Sequence, residues 1–242
     1  MVCHSCNQHN HRFNTNGYMS GLHVDSVTKN FGLRQVLTDI FISCTRGEII
    51  GLLGRNGSGK STLLKIIFGS LNADNKYVKV NDKHLKGLYN NIDIIQYLPQ
   101  DSFLPKHIKV EDIIKVFCKK QQAINLLELE LVRPHLRKRS TELSGGEQRV
   151  IEVLIMIYSE AEYLLFDEPF NGLGPLHIEI IKDLIKAHSD RKGFIITDHD
   201  YRNVLDISTG IILMHDGGTK VIKDKNDLVR WGYLPSGSLS NT

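Results

Sequence analysis

The chain has 242 residues, 41% of them hydrophobic, enough for one domain with a substantial core, or one domain with an added lobe. Its 30 basic and 27 acidic residues leave a formal net charge of +3, so the chain as a whole is not built to bind polyanions and no nucleic acid is expected as a partner. No apolar run approaches the ~18–20 residues of a membrane span, the start has neither the cationic nor the apolar part of a secretory signal, and four cysteines suit a reducing compartment, so the cytoplasm is the expected location.

Residues 1–18 are polar and without periodicity, which predicts a disordered leader. Cys3 and Cys6 with His9 and His11 carry the donor types of a tetrahedral zinc site, yet no apolar cluster stands ready to pack around a metal, and a flexible leader is the expectation. From Gly21 to Glu48, short alternating runs such as Leu22-His23-Val24 and Ile40-Phe41-Ile42 predict antiparallel strands forming a small β-lobe.

Glu48 to Leu53 is an apolar run of strand type, and Ser61 to Phe68 reads as the first turns of a buried helix. Between them stands Gly54-Arg55-Asn56-Gly57-Ser58-Gly59-Lys60-Ser61-Thr62, a complete phosphate-binding loop in the strand–loop–helix setting the motif requires. Gly54, Gly57 and Gly59 let the backbone wrap a phosphate chain, and Asn56 and Ser58 lie on the same loop, whose N–H groups and helix dipole point inward. Lys60 supplies a mobile charge for the β- and γ-phosphates, Ser61 a hydroxyl for Mg²⁺, and Thr62 a group on the α-phosphate side.

Tyr77 to Leu98 is expected to return to the sheet, ending at Tyr97-Leu98-Pro99-Gln100, and residues 101 to about 142 read as a short helical lobe. Asp101 to Ser140 carries nine Lys/Arg against five acids, either a solvated face or an attraction to an acidic partner or lipid headgroups. Leu143-Ser144-Gly145-Gly146-Glu147 then opens a helix, and Tyr163-Leu164-Leu165-Phe166 is an apolar strand ending in Asp167-Glu168-Pro169. Asp167 with Ser61 suits Mg²⁺, and Glu168 suits a general base for hydrolysis. The pair must lie at the strand's end, because neighbours within a regular strand face opposite ways. Helix and strand alternate from there, as a mostly parallel sheet requires, to a frayed tail over residues 235–242.

This spacing of phosphate loop, Ser-Gly-Gly helix start and Asp-Glu strand end resembles the ATP-binding cassette (ABC) family over roughly residues 21–230. The resemblance implies an α/β fold, a phosphate-loop NTPase core with an antiparallel β-lobe and a short helical lobe, spanning residues 19–234. It implies that Phe31 stacks on adenine, that Gln100 reaches Mg²⁺ and the attacking water, and that His199 contacts the γ-phosphate and positions water and Glu168. Ser144, Gly145, Gly146 and Glu147 would cap the ATP held by a second copy or a homologous subunit in a head-to-tail dimer. The implied activity is Mg²⁺-dependent ATP hydrolysis that drives separate transmembrane permease subunits, from a peripheral position on the inner face of the membrane.

Within the family, Tyr97-Leu98-Pro99-Gln100, the signature stretch Gly145-Gly146-Glu147-Gln148-Arg149 with Glu152 after it, Glu168-Pro169-Phe170, and Ile196-Thr197-Asp198-His199 with Arg202 after it look similar to lipopolysaccharide-export ATPases, with branched-chain amino-acid importers nearby. Export of a lipid or envelope component is the cargo this favours. Two departures stand out. Val150 to Ile157 replaces an alanine-rich helix, which predicts different packing, and Gly174 stands where the family has an aspartate before Pro175. A soluble ABC ATPase of nucleic-acid or translation work is the alternative, as is a regulatory subunit of low turnover. Against the first, Lys60 and Ser144 are only 84 residues apart, with no coiled coil between them.

Overall fold

The structure is a computed structural model and describes residues 20–81, 83–85 and 91–235; the cysteine–histidine leader and the tail beyond Pro235 lie outside the described residues. Strands β1 (Leu22–Phe31) and β2 (Arg34–Cys44) form a hairpin whose register runs from Leu22 opposite Cys44 to Phe31 opposite Arg34. Along β1 the apolar core positions Leu22 and Val24 share one face, while His23 between them, also buried, faces the other way. At Ser26 the backbone enters the left-handed region (φ 55°), the register shifts, and Val27 becomes the next inward residue, as a bulge requires.

Next comes β3 (Ile49–Gly54), buried throughout, then the phosphate loop and α1 (Lys60–Phe68). The segment expected to return as one piece to the main sheet is divided between two sheets. β4 (Asn75–Val80) pairs with β1 and, with the short β5 (Lys83–His84), completes an antiparallel sheet of order β2-β1-β4-β5. β6 (Ile95–Leu98) instead takes the parallel edge of the second sheet. The burial patterns separate the two. In β4 only Val78 and Val80 are buried, one covered face, whereas β6 is buried at Ile95, Tyr97 and Leu98.

Helices α2 (Val110–Phe117) and α3 (Lys120–Leu127) follow, and then α4 (Gly145–Tyr158). Strand β7 (Tyr163–Asp167), α5 (Pro175–Ser189), β8 (Gly193–Thr197), α6 (Tyr201–Ile207), β9 (Gly210–His215), β10 (Gly218–Ile222) and α7 (Lys225–Arg230) complete the described chain. The second sheet has the order β10-β9-β3-β8-β7-β6, parallel from β9 to β6, with β10 antiparallel on the edge.

Alternation along the central strands sorts the core into two layers. Leu164, Phe166, Phe194 and Ile196 pack with α4, α5 and the α2–α3 segment, whereas Tyr163, Leu165 and Ile195 pack with α1 and the antiparallel sheet. The bulky run after Ser-Gly-Gly is accommodated here, because Val150 to Ile157 is buried around the helix. A helix enclosed on all sides tolerates apolar residues on every face.

This strand order builds the site. Adjacent parallel strands β3, β8, β7 and β6 deliver the phosphate loop, His199, the Asp167–Glu168 pair and Gln100 to one edge of the sheet, all at carboxyl ends. Such an edge is where open α/β sheets bind ligands.

Candidate nucleotide site

The phosphate loop owes its shape to its glycines at two points. Gly59 caps α1 with φ 100°, and a Cβ there would lie 2.9 Å from Leu37 Cδ2. A Cβ on Gly54 would lie 2.6 Å from Ser58 Oγ, so neither position accepts a side chain without displacing a neighbour. Lys60 Nζ donates to Gly54 O (2.7 Å) and Arg55 O (3.3 Å), curled back over its own loop. Burial lowers the Lys60 pKa, opposed by the charges of Asp167 and Glu168.

Asp167 ends β7, and both of its carboxylate oxygens are engaged. The Ser61 hydroxyl donates to Oδ1 (3.0 Å) and the Tyr97 hydroxyl to Oδ2 (2.8 Å). A hydroxyl and a carboxylate held together at the start of α1 are the hard oxygen donors that Mg²⁺ takes, so Ser61 and Asp167 fit that ion. Burial raises the Tyr97 phenol's pKa, which keeps it a donor.

Glu168 lies one residue beyond the strand with φ 57°, in the left-handed region. Its N–H donates to Thr197 O at 2.8 Å. Leaving the strand conformation is what frees its carboxylate from the alternation that set Asp167. His199 Nε2 lies 2.8 Å from Glu168 Oε1, and Gln100 Nε2 donates to Oε2 at 2.8 Å. Burial raises the Glu168 pKa, opposed mainly by His199.

Lys60, Ser61, Gln100, Glu168 and His199 line one cleft of about 420 Å³, together with Asn56, Gly57, Gly59, Thr62 and Phe31, while Asp167 is buried behind Ser61. Phe31 is 49% exposed, so its ring is presented to the cleft edge rather than consumed by the core, with Lys29 Nζ 5.1 Å from its centroid. The Ser-Gly-Gly element is not part of the cleft. Ser144 and Gly145 are exposed, and Ser144 caps α4, accepting from Glu147 N–H (3.3 Å) while Glu147 Oε2 accepts from Ser144 N–H (2.7 Å). The Glu147 carboxylate is therefore committed to the cap, and to His135 and Lys138 at 3.5 and 3.8 Å.

Residues not singled out as site residues from the sequence also converge here. Asp198 accepts from Phe170 N–H (3.1 Å) and Asp200 N–H (3.0 Å), joining the loop after Glu168 to the loop that carries His199. Tyr97 binds Asp167, and buried Arg149 reaches the carbonyls of Asp167 and Glu168. The signal in the sequence is Arg149 and Glu152, three apart, with Glu152 inside the otherwise apolar run from Val150 to Ile157, since buried charges require partners.

A family profile described as ABC transporter matches residues 37–171. The chain is 31% identical over 216 residues to a probable ABC transporter ATP-binding protein of Azorhizobium caulinodans, covering 84% of this chain and 77% of that one. It is 28% identical over 229 residues to the lipopolysaccharide export system ATP-binding protein LptB of Escherichia coli K12, covering 86% and 95%. A solved ATP-binding subunit of an ABC transporter superposes with TM-score 0.78 at 22% identity over 91% of this chain and 97% of that one. A dimeric cassette bound to ADP and Pi after hydrolysis superposes with TM-score 0.71 at 20% identity, over 84% and 99%. With a phosphate loop, a paired carboxylate and a histidine gathered at one sheet edge, and relatives of this kind along most of its length, the chain belongs to the ABC transporter family as an ATP-binding, ATP-hydrolysing subunit.

Proposed function

We propose that two copies of this chain, or one copy and a homologous subunit, clamp ATP head to tail and drive separate transmembrane permease subunits from the inner face of the membrane. The observation that carries this reading is the placement of the signature. The N-terminus of α4, a 14-residue helix, presents Ser144 and Gly145 to solvent, away from the cleft that holds the phosphate loop. Such a helix end favours an anion, and the γ-phosphate of a second copy is the anion a head-to-tail pair would bring. No helix among the described residues is long and apolar enough to cross a membrane, so the membrane-spanning part would be supplied by partners.

In this reading the phosphate loop and Lys60 hold the triphosphate, Phe31 stacks on the base, and Ser61 and Asp167 hold Mg²⁺. When bound, Mg²⁺ neutralises charge on the β- and γ-phosphates. Glu168 takes a proton from the attacking water, and His199 and Gln100 orient that carboxylate through its two oxygens. The similarity to LptB makes a lipid or envelope component the favoured cargo, moved outward.

Co-expression with candidate permease subunits followed by purification in detergent tests the reading. Two ATPase copies per membrane assembly, with ATP turnover that responds to lipopolysaccharide, is the expected result. A chain that purifies free of membrane protein and whose turnover responds only to nucleic acid would overturn it.

A further inference from the structure

Arg149 and Glu152 are 5% and 1% exposed, three residues apart on α4, and neither lines the nucleotide cleft. Their contacts converge on the two loops that carry the water-handling groups. Arg149 Nη1 donates to Pro99 O (2.8 Å) and lies 3.2 Å from Glu152 Oε2. Its Nη2 donates to Asp167 O (2.7 Å) and Glu168 O (2.8 Å). On the other side, Glu152 Oε1 accepts from Phe103 N–H (3.1 Å) and from the Ser102 hydroxyl. The ion pair thus grips the segment before Gln100 at Pro99 and the segment after it at Ser102 and Phe103. It also holds the carbonyl of the residue whose left-handed backbone aims the base.

A buried ion pair stabilises weakly unless its remaining hydrogen-bonding capacity is used. Here that capacity goes to backbone groups of the catalytic loops, and the guanidinium accepts an unpartnered Nε to reach them. Glu168 in the left-handed region needs such support, since a non-glycine residue persists there only when its surroundings hold it. Its N–H is fixed by Thr197 O on β8, and its C=O by Arg149 Nη2 (2.8 Å) from the signature helix, with a longer bond from Asn171 N–H (3.2 Å).

We propose that Arg149 and Glu152 are positioning residues for hydrolysis: from the helix opened by Ser144, they set the orientation of Glu168 and Gln100 without touching nucleotide. The signature helix would then act on the water site of its own subunit as well as on the partner's phosphate.

Arg149→Lys keeps the charge but lacks the fork that serves three carbonyls, and Glu152→Gln keeps one acceptor while removing the ion pair. Both are measured in the purified subunit for ATP turnover and for binding of a fluorescent ATP analogue. The expected result is turnover reduced about ten-fold or more with nucleotide affinity within about two-fold of wild type, the pattern of an interaction needed in the transition state. In a Gln100→Ala background the cost of Arg149→Lys should shrink, because both changes release the same carboxylate. Wild-type turnover in both variants, affinity lost in step with turnover, or full additivity with Gln100→Ala would each overturn the proposal. Should Arg149→Lys fail to fold, Glu152→Gln and Ser102→Ala, which trims the far side of the grip, decide between the same outcomes. The readout is hydrolysis by the isolated subunit, so it stands or falls independently of the permease reading.

Discussion

Gln100 Nε2 donates to Glu168 Oε2 at 2.8 Å, joining the end of β6 to the end of β7 across the mouth of the cleft. With His199 Nε2 on the other carboxylate oxygen, both oxygens of the proposed base already have a partner. An attacking water must therefore displace one partner or share an oxygen with it. On the proposed reading, movement of the loop that carries Gln100 is the direct way to free Oε2, which would tie base activation to the segment leading into α2 and α3.

Glu168→Gln should retain ATP binding and lose turnover by about 100-fold or more, the scale of general-base contributions. The amide hydrogen-bonds but does not accept the proton. Single-turnover hydrolysis beside equilibrium nucleotide binding checks the split; wild-type turnover in this variant would remove Glu168 from its role.

The pH dependence has a defined sign. Burial raises the Glu168 pKa, with His199 the main opposing influence. A glutamate acting as the proposed base works ionised, so turnover should be full on the alkaline side of its titration and fall as pH drops through a midpoint raised above the ordinary glutamate value. The same shift means that the fold binds this proton more tightly than the unfolded chain, so stability is lost as pH rises through the folded pKa. Glu168→Gln should accordingly raise Tm at neutral pH, with the gain vanishing in acid. Melting curves at several pH values test this, and a gain that grows toward acid would contradict it.

Phe31→Ala should weaken ATP binding by the ~1–3 kcal/mol of a base stacked on an aromatic ring, about 5- to 150-fold in Kd, and Phe31→Tyr should restore it. With the ring 49% exposed, Tm should barely move. Titration with a fluorescent nucleotide reads the difference, and equal affinities for the Ala and Tyr variants would remove the base platform from Phe31.

Gly174, where the family carries aspartate, has φ −73° and ψ 157°, and a Cβ there meets nothing within 4 Å. Aspartate is therefore unstrained, and it would add an N-cap to α5, which has no side-chain cap, a gain of a few tenths of a kcal/mol over glycine. Gly174→Asp should raise Tm slightly and, in a Glu168→Gln background, strengthen ATP-dependent dimerisation. Gly174→Ala, which fits the space without capping, should do neither. Sedimentation of the three proteins with ATP and Mg²⁺ checks this.

Whereas the role of His199 rests on the family resemblance, the phosphate loop and Asp167-Glu168 are readable in short local patterns. Each sits at the carboxyl end of a strand that is itself a compact apolar run, so element and group were legible together. The Tyr97–Asp167 bond and the Arg149 contacts pair residues 70, 18 and 19 positions apart, and no local pattern carries them. The separation of β4 from β6 was hidden for a related reason. β4 alternates polar and apolar residues and β6 is largely apolar, but which sheet each joins is set by pairing with distant strands, a long-range property. Gly174 was visible as a departure, but its backbone angle, which decides whether aspartate is tolerated, was not. The basic segment after Asp101 was legible as charge only; Lys115, Lys119 and Lys138 are already paired with carboxylates of the same chain.

Sharing of each ATP between the phosphate loop of one copy and Ser144 of another is tested most directly by mixing two inactive variants. Lys60→Ala loses the loop's cation and Ser144→Arg blocks the cap, so neither should hydrolyse ATP alone. In an equimolar mixture, the mixed dimers hold one site with an intact Lys60 from one subunit and an intact Ser144 from the other, and turnover should recover to about a quarter of wild type if subunits pair at random. A mixture as inactive as its two components would show that the signature does not complete a partner's site, and would contradict the account.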